Sequence, residues 1–240
     1  TMVISTKVYF PMSDEVNDQG LSRKHIMESI DRSLQRINTD YVDIYFCHRP
    51  DLETPLLETA RAMDDLIHQG KVLYWGTSEW SGAQLQEVCD TCERYGLYKP
   101  QTEQPQYSML HRERVEDEVV PVALREGLGL VVWSPLAQGM LTGKYDEGIP
   151  GDSRFAQEDW LRERYVTEHN RQIVRRLATV AEKLEITRGQ LALAWVLHQP
   201  AVSGAIVGAT KPDQMQENLR ATEITLPDDV LKEIEGILTA

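Results

Sequence analysis

The sequence has little of what would tie it to a disulfide framework, a membrane or a nucleic acid. Its three cysteines, Cys47, Cys89 and Cys92, are too few for a disulfide scaffold. Cys89 and Cys92 form a CxxC, but their flanks (LQEVCDTCERYG) read as helix and no second Cys/His pair follows nearby. Two thiols on one helix account for it better than a metal or redox site, and no metal is expected. No apolar run reaches about 18 residues, so no membrane span is expected. No signal peptide is visible, and a reducing cytoplasm fits the thiols. Cations are also short: 25 Lys and Arg against 38 Asp and Glu give a formal charge of -13. That balance argues against nucleic acid or an anionic membrane surface as the main partner, while leaving room for a local basic pocket for one phosphate. The glycine fingerprint of an open dinucleotide-binding sheet is missing after the first strand.

What is present is a regular alternation. The chain of 240 residues, 41% hydrophobic and 26% charged, is long enough for one domain with a sizeable core. Strand patterns fall at residues 2–7, 42–48, 72–76, 102–107, about 130–133 and 203–207. The fourth is short and polar, with Pro105 inside it. Helical patterns lie between them. Ser22 caps a helix to about Arg36 with Ile26, Ile30, Leu34 and Ile37 on one face. Pro55 stands at the first position of the next helix, whose inner face is Leu56, Ala60, Met63 and Ile67. Ser81 caps a third, with Leu85, Val88 and Cys92 inward. Residues 112–126 form a fourth, with Val115, Val119 and Val122 inward. A long loop to about Tyr165 precedes helices at 168–184, 190–198 (after a Thr187 cap), 212–220 and 228–238. Such alternation means a parallel α/β sheet flanked by helices.

The organising stretch is Gly129–Lys144, GLVVWSPLAQGMLTGK. A buried-strand run ends in Trp133 and Ser134, and Pro135, Gly139 and Gly143 turn the chain into a loop. An aromatic ring, a hydroxyl and free backbone N–H groups followed by a lysine could seat a flat heterocycle with a phosphate tail. A core strand with a surface loop is the alternative. Polar residues also close the other strands: Lys7, His48, Ser78, Gln104 and Thr210. A ring of polar groups at one end of successive parallel strands is the mark of a (β/α)8 barrel site. About six units are visible, and Thr1 begins inside a strand-like run. The expectation is a (β/α)8 TIM barrel whose first two βα units are absent from a single domain spanning residues 1–240. Lys7 could act as a Schiff-base nucleophile or hold charge beside an acid; alternatively it snorkels from a strand edge. His48 could polarise a carbonyl or shuttle a proton; alternatively it is a satisfied core histidine. Ser78 and Gln104 could present a hydroxyl and an amide to a carboxamide, and Trp133 could stack on a planar ring. Each has a structural alternative as cap, turn or core residue.

Segments in fixed order along the whole chain resemble the aldo-keto reductases, in the branch of the voltage-gated potassium channel β subunits and their bacterial relatives. They are STK (5–7), GLSRKHI (20–26), YVDIYFCHRPD (41–51), QGKVLYWGTSEWS (69–81), WSPLAQGMLTGKY (133–145) and GATKPDQMQEN (208–218). The resemblance implies an eight-stranded barrel that binds NADP(H) and transfers hydride to an aldehyde or ketone. It implies a tyrosine as proton donor, helped by a lysine, a histidine and an aspartate. Lys7 and His48 match the lysine and the histidine. Ser78 and Gln104 match the carboxamide contacts and Trp133 the nicotinamide stack. Ser134, Leu136 and Ala137, in a loop with Pro135 and Gly139, match the pyrophosphate contacts, with Lys144 and Arg154 nearby. Gly208, Thr210, Gln214, Glu217 and Asn218 match the adenosine contacts. Lys211 is a candidate for the 2′-phosphate that the match itself does not fix; the loop ahead of this helix favours phosphate through its backbone donors and the helix dipole.

The family's tyrosine and aspartate lie ahead of STK, and no tyrosine here stands at the matching position. These 240 residues alone are therefore expected to reduce ketones poorly, within a parent protein that is active. Two further functions compete. One is a nucleotide-binding regulatory β subunit of a potassium channel, with a tetramer implied only by the resemblance. The other is a Schiff-base enzyme using Lys7, which borohydride trapping would reveal.

Overall fold

The computed structural model describes residues 2–239. The strands are β1 (Ser5–Val8), β2 (Val42–Cys47), β3 (Val72–Thr77), β4 (Thr102–Glu103), β5 (Gly129–Trp133) and β6 (Val202–Ile206). They follow one another in chain order in one sheet. The chain divides into two compact units, Thr1–Pro105 with Arg114–Val131 and Gln106–Glu113 with Val132–Ala240.

In the first unit, β1 to β5 pair in parallel, each with the next. The register threads one row through Lys7, Phe46, Gly76, Thr102 and Gly129, and the next through Val8, Cys47, Thr77, Glu103 and Leu130. Successive side chains alternate between faces, so the two rows point opposite ways. The second row points toward the helices. On that face the Tyr45 hydroxyl donates to the carbonyl of Ile26 at 3.3 Å, and Trp75 Nε1 donates to that of Tyr98 at 2.7 Å. The first row belongs to the face that carries Lys7.

Three helices form where the sequence places them. Ser22 accepts from the His25 amide at the start of α1 (Arg23–Ile37), and Asn38 ends it with a left-handed φ of 57°. Ser81 and Gln84 make a reciprocal capping box on α3 (Gly82–Tyr95), which Gly96 terminates. Pro55 caps α2 (Leu56–His68) from one residue further out than expected. Ile26, Ile30, Leu34, Ala60, Met63, Leu85, Val88 and Cys92 are buried. The expected inner faces are corrected in places: Ile37 is exposed, Leu56 and Ile67 are only half-buried, and Leu66 fills the inner face of α2 with Ala60 and Met63. The expected single helix over 112–126 is a π-helical turn, Val115–Val119, running into α4 (Val120–Glu126). Pro121 sits in the first turn of α4. It lacks the N–H for an i−4 bond and its ring crowds that carbonyl, which widens the preceding turn. The missing N–H of Pro105 likewise limits β4 to two residues.

The second unit holds α5 (Arg154–Gln157), α6 (Asp159–Tyr165), α7 (Glu168–Lys183), α8 (Arg188–His198), α9 (Pro212–Arg220) and α10 (Asp228–Leu238). Thr187 and Gln190 box the start of α8, which is buried nearly all round. The expected long loop to Tyr165 is built structure. It contains a 3-10 segment at Ala137–Thr142 and the short helices α5 and α6. Its centre is a stack of buried rings, Tyr145 on Phe155 at 4.4 Å and Phe155 on Tyr165 at 6.0 Å between centroids. No helix among the described residues is long and apolar enough to cross a membrane.

Candidate active site

In the first unit, the residue after each strand donates its amide back to the preceding strand. His48 N donates to Val8 O at 2.9 Å, Ser78 N to Cys47 O at 2.9 Å and Gln104 N to Thr77 O at 2.8 Å. His48, Ser78 and Gln104 therefore form one row at the C-terminal rim. His48 lies two residues beyond Phe46, the register partner of Lys7, so Lys7 and His48 belong to the same face. Both line a cavity of about 170 Å³ at the β1 edge, whose wall is shared between Tyr9, Phe10 and Met12 and the α1 residues His25, Ser29, Arg32 and Arg36. Lys7 Nζ lies 5.9 Å from the centre of the Phe46 ring, and the His48 imidazole meets the Phe10 ring edge-on at 4.9 Å.

The electrostatics of this pair follow from burial and like charge. Partial burial, then the Arg49 guanidinium, lower the pKa of Lys7. Burial, then Arg49 and Lys7, push the pKa of His48 down to about 4, with Glu79 opposing. At neutral pH His48 is an uncharged imidazole with one N–H to give, beside a half-buried amine.

Ser78 and Gln104 are brought together, with one change from the expected roles. The Ser78 hydroxyl donates to the carbonyl of Gln104 at 2.9 Å. Its hydrogen is spent within the protein, and its oxygen is left to accept. Both residues are buried.

In the second unit, Trp133 is half-buried at the end of β5, and its carbonyl accepts from the Tyr107 amide at 3.2 Å. The turn after it is strained. Ser134, Ala137 and Gln138 have φ of 57°, 49° and 59°, with Gly139 at 94°. Left-handed backbone costs non-glycine residues about 1–2 kcal/mol each. The amides of this turn are used within it: Ala137 N donates to Ser134 O at 2.9 Å, Gln138 N to Ser134 Oγ at 3.3 Å and Gly139 N to Leu136 O at 2.9 Å. Gln138 Nε2 donates to Ser134 Oγ at 2.9 Å, and Arg154 donates to Gln138 Oε1. Lys144 runs across Gly139, where a Cβ would stand 2.9 Å from Nζ. Two cations thus flank the Ser134–Gly139 turn, with buried Pro135 and Ala137 and half-buried Leu136 as its floor.

The remaining expected residues gather around the start of α9, a helix with no buried residue. Gly208, Thr210 and Lys211 are exposed and Asn218 is half-buried. Gln214 is less available than expected. Its Oε1 accepts from the amides of Thr210 (2.9 Å) and Lys211 (3.3 Å) and from the Thr210 hydroxyl (3.1 Å). Glu217 accepts from the Thr187 hydroxyl at 2.8 Å and lines a groove of about 650 Å³ with Gln190, Asp213 and Arg220.

Sequence reasoning missed Arg49, which depresses both Lys7 and His48, and Glu103, a wholly buried acid next to Gln104. Arg49 stands directly after His48, and that adjacency was the available signal. Nothing in TEQPQY marks Glu103, because an acid in a polar strand reads as exposed.

The sequence itself matches the aldo/keto reductase family. The model of that family matches residues 1–239, and the chain belongs to it. It is 46% identical over 242 residues to a probable voltage-gated potassium channel subunit beta of Arabidopsis thaliana, covering 99% of this chain and 74% of that protein. A probable voltage-gated potassium channel subunit beta of Oryza sativa subsp. japonica is 45% identical over 242 residues, covering 99% and 74%. A putative one of Schizosaccharomyces pombe is 42% identical over 243 residues, covering 98% and 71%.

Proposed function

We propose that this protein is an NADP(H)-dependent reductase of aldehydes and ketones, working in the cytoplasm as a (β/α)8 barrel domain. The observation that carries the reading is Lys7 and His48 on one sheet face, lining one cavity, with His48 held uncharged. When bound, the cofactor supplies the hydride. Addition to the carbonyl carbon leaves negative charge on its oxygen. The neutral His48 N–H donates to that oxygen and orients it. The Lys7 ammonium stabilises the developing charge in a partly dry cavity, where such charge stabilisation is strongest. By resemblance, the proton that completes the alcohol comes from a tyrosine ahead of the Ser5–Lys7 segment.

The residues present fit this cofactor. Gln104 offers its amide and Ser78 an accepting oxygen to a carboxamide. Trp133 offers a ring to the nicotinamide. Lys144 and Arg154, flanking the Ser134–Gly139 turn, offer charge to the pyrophosphate. Gly208, Thr210, Gln214, Glu217 and Asn218 belong to the adenosine, and Lys211 to the 2′-phosphate. Converting Lys211 to an uncharged residue should weaken NADPH binding about 10–100-fold, as expected for losing a charge-assisted contact, and change NADH binding less, whereas converting Arg154, beside the pyrophosphate, should weaken both. Isothermal titration with both nucleotides checks this; equal losses for the Lys211 variant would remove it from the 2′-phosphate.

A second reading is supported by the names of the relatives: a nucleotide-binding regulatory β subunit on a potassium channel, which would fit a homotetramer. Turnover of a simple aromatic aldehyde with NADPH by the full-length protein supports the enzyme. Binding of NADPH without turnover, together with co-purification of a channel, supports the subunit.

A further inference from the structure

The β3–α3 turn carries Ser78, and it is tied to β4 at four points. Two are described above: Gln104 N to Thr77 O, and Ser78 Oγ to Gln104 O. The other two converge on Glu103. The Thr77 hydroxyl is hydrogen-bonded to Glu103 Oε2, and the Trp80 amide donates to Glu103 Oε1 at 3.2 Å. Glu103 thus holds both ends of the Ser78–Glu79 pair, from the face of β4 opposite to Gln104.

The turn has reason to need a clamp. Glu79 stands at a left-handed φ of 62°, a conformation that persists only where neighbours enforce it. Arg114 holds the same turn from outside, donating to Glu79 Oε2 at 2.9 Å and to the Trp80 carbonyl at 3.2 Å. A buried carboxylate between a hydroxyl and one amide is poorly compensated. The Thr77 hydroxyl donates to Oε2 and the Trp80 amide to Oε1, and these two bonds offset the burial only in part. Burial, opposed by the bonds to Thr77 and Trp80 and aided by Glu79, raises the Glu103 pKa to about 8. Arg114 lowers it, and the Cys47 thiol is the next titratable group in its row. Each atom of the acid is used, and none reaches the face that carries His48.

We propose that Glu103 is a positioning residue for the nicotinamide carboxamide. As a buried hydrogen-bonding bridge it fixes the Ser78 turn against Gln104, so that the hydroxyl oxygen and the amide reach the carboxamide together. The inference rests on the cofactor reading above. It assigns to Glu103 a share of affinity that depends on the carboxamide and on no other part of the nucleotide.

The experiment compares NADPH with 2′,5′-ADP, which keeps the 2′-phosphate and adenine but has no carboxamide, on the full-length protein by isothermal titration. Glu103→Leu should raise the Kd for NADPH about 10-fold, the size of a lost hydrogen-bond anchor, and leave that for 2′,5′-ADP within about twofold. Glu103→Gln, whose carbonyl can accept from the Trp80 amide while its NH2 meets the Thr77 hydroxyl oxygen, should restore NADPH binding to within about threefold of wild type. If Glu103→Leu fails to fold, Thr77→Val removes one bond of the bridge and should give the same NADPH-selective loss. Equal losses for both nucleotides, no loss for NADPH, or no rescue by Gln would overturn the inference while leaving the cofactor reading standing. A wild-type protein that binds NADPH no better than 2′,5′-ADP would overturn both.

Discussion

His48→Ala lowers kcat for aldehyde reduction about 10²–10³-fold, the span of a positioned general acid–base or polarising group, and leaves the Kd for NADPH nearly unchanged. The argument runs from the strand. β2 delivers the imidazole at its rim by continuing the ladder, with His48 N on Val8 O. Phe10 braces the ring edge-on at 4.9 Å. Burial and the neighbouring cations keep it uncharged at neutral pH, so it meets a carbonyl oxygen as a donor without a competing charge state. Alanine removes the donor and leaves the amine, so the loss falls on the chemical step. Steady-state kinetics with NADPH and an aromatic aldehyde on the full-length protein, beside equilibrium binding of NADPH, separate the two quantities. A variant with unchanged kcat, or one that loses NADPH affinity in proportion, contradicts the role.

Gly82→Ala destabilises the protein by about 2–3 kcal/mol, at the upper end for overpacking a tight core. Gly82 opens α3 directly after the Ser78–Trp80 turn. A Cβ there would stand 2.2 Å from the carbonyl oxygen of Glu118 and 2.8 Å from its carbon. Those atoms are backbone of the π-helical turn, so no side-chain rotation relieves the clash. The glycine is required by closeness, and its φ is ordinary. Gly96 is the contrast. It has φ of 66° at the end of α3 and open space where its Cβ would go, so Gly96→Ala should cost only about 1–2 kcal/mol of left-handed backbone strain. Urea unfolding followed by circular dichroism checks both. An unfolding midpoint for Gly82→Ala at or above that of Gly96→Ala contradicts the close approach of α3 to the π turn.

The parts of the fold legible in the sequence were those fixed by local chemistry. Ser22, Ser81 and Thr187 announce helix starts because their side chains cap whatever helix follows, and α9 and α10 fall where proline and periodicity place them. The strand-end residues His48, Ser78 and Gln104 were legible because a parallel sheet brings its C-terminal ends into one row, with Lys7 one step below it on the same face. What was hidden depends on partners distant in sequence. Residues 145–165 read as loop because Tyr145, Phe155 and Tyr165 stand ten residues apart, too far to show a helical stripe, yet their rings make a core. Gln214 reads as a free ligand residue until its carbonyl is seen bonded to Thr210 and Lys211. Glu103 shows its role only once Thr77 and Trp80 are beside it.

The central claim is that a nicotinamide nucleotide and a reactive carbonyl meet at Lys7 and His48. The most direct test is imidazole NMR of the six histidines, with His48 assigned through His48→Gln, during titration with NADPH and separately with 2′,5′-ADP. The account predicts that saturation with NADPH moves the His48 ring signals well beyond the shift given by 2′,5′-ADP. NADPH bound at full occupancy with the His48 signals unmoved would contradict it.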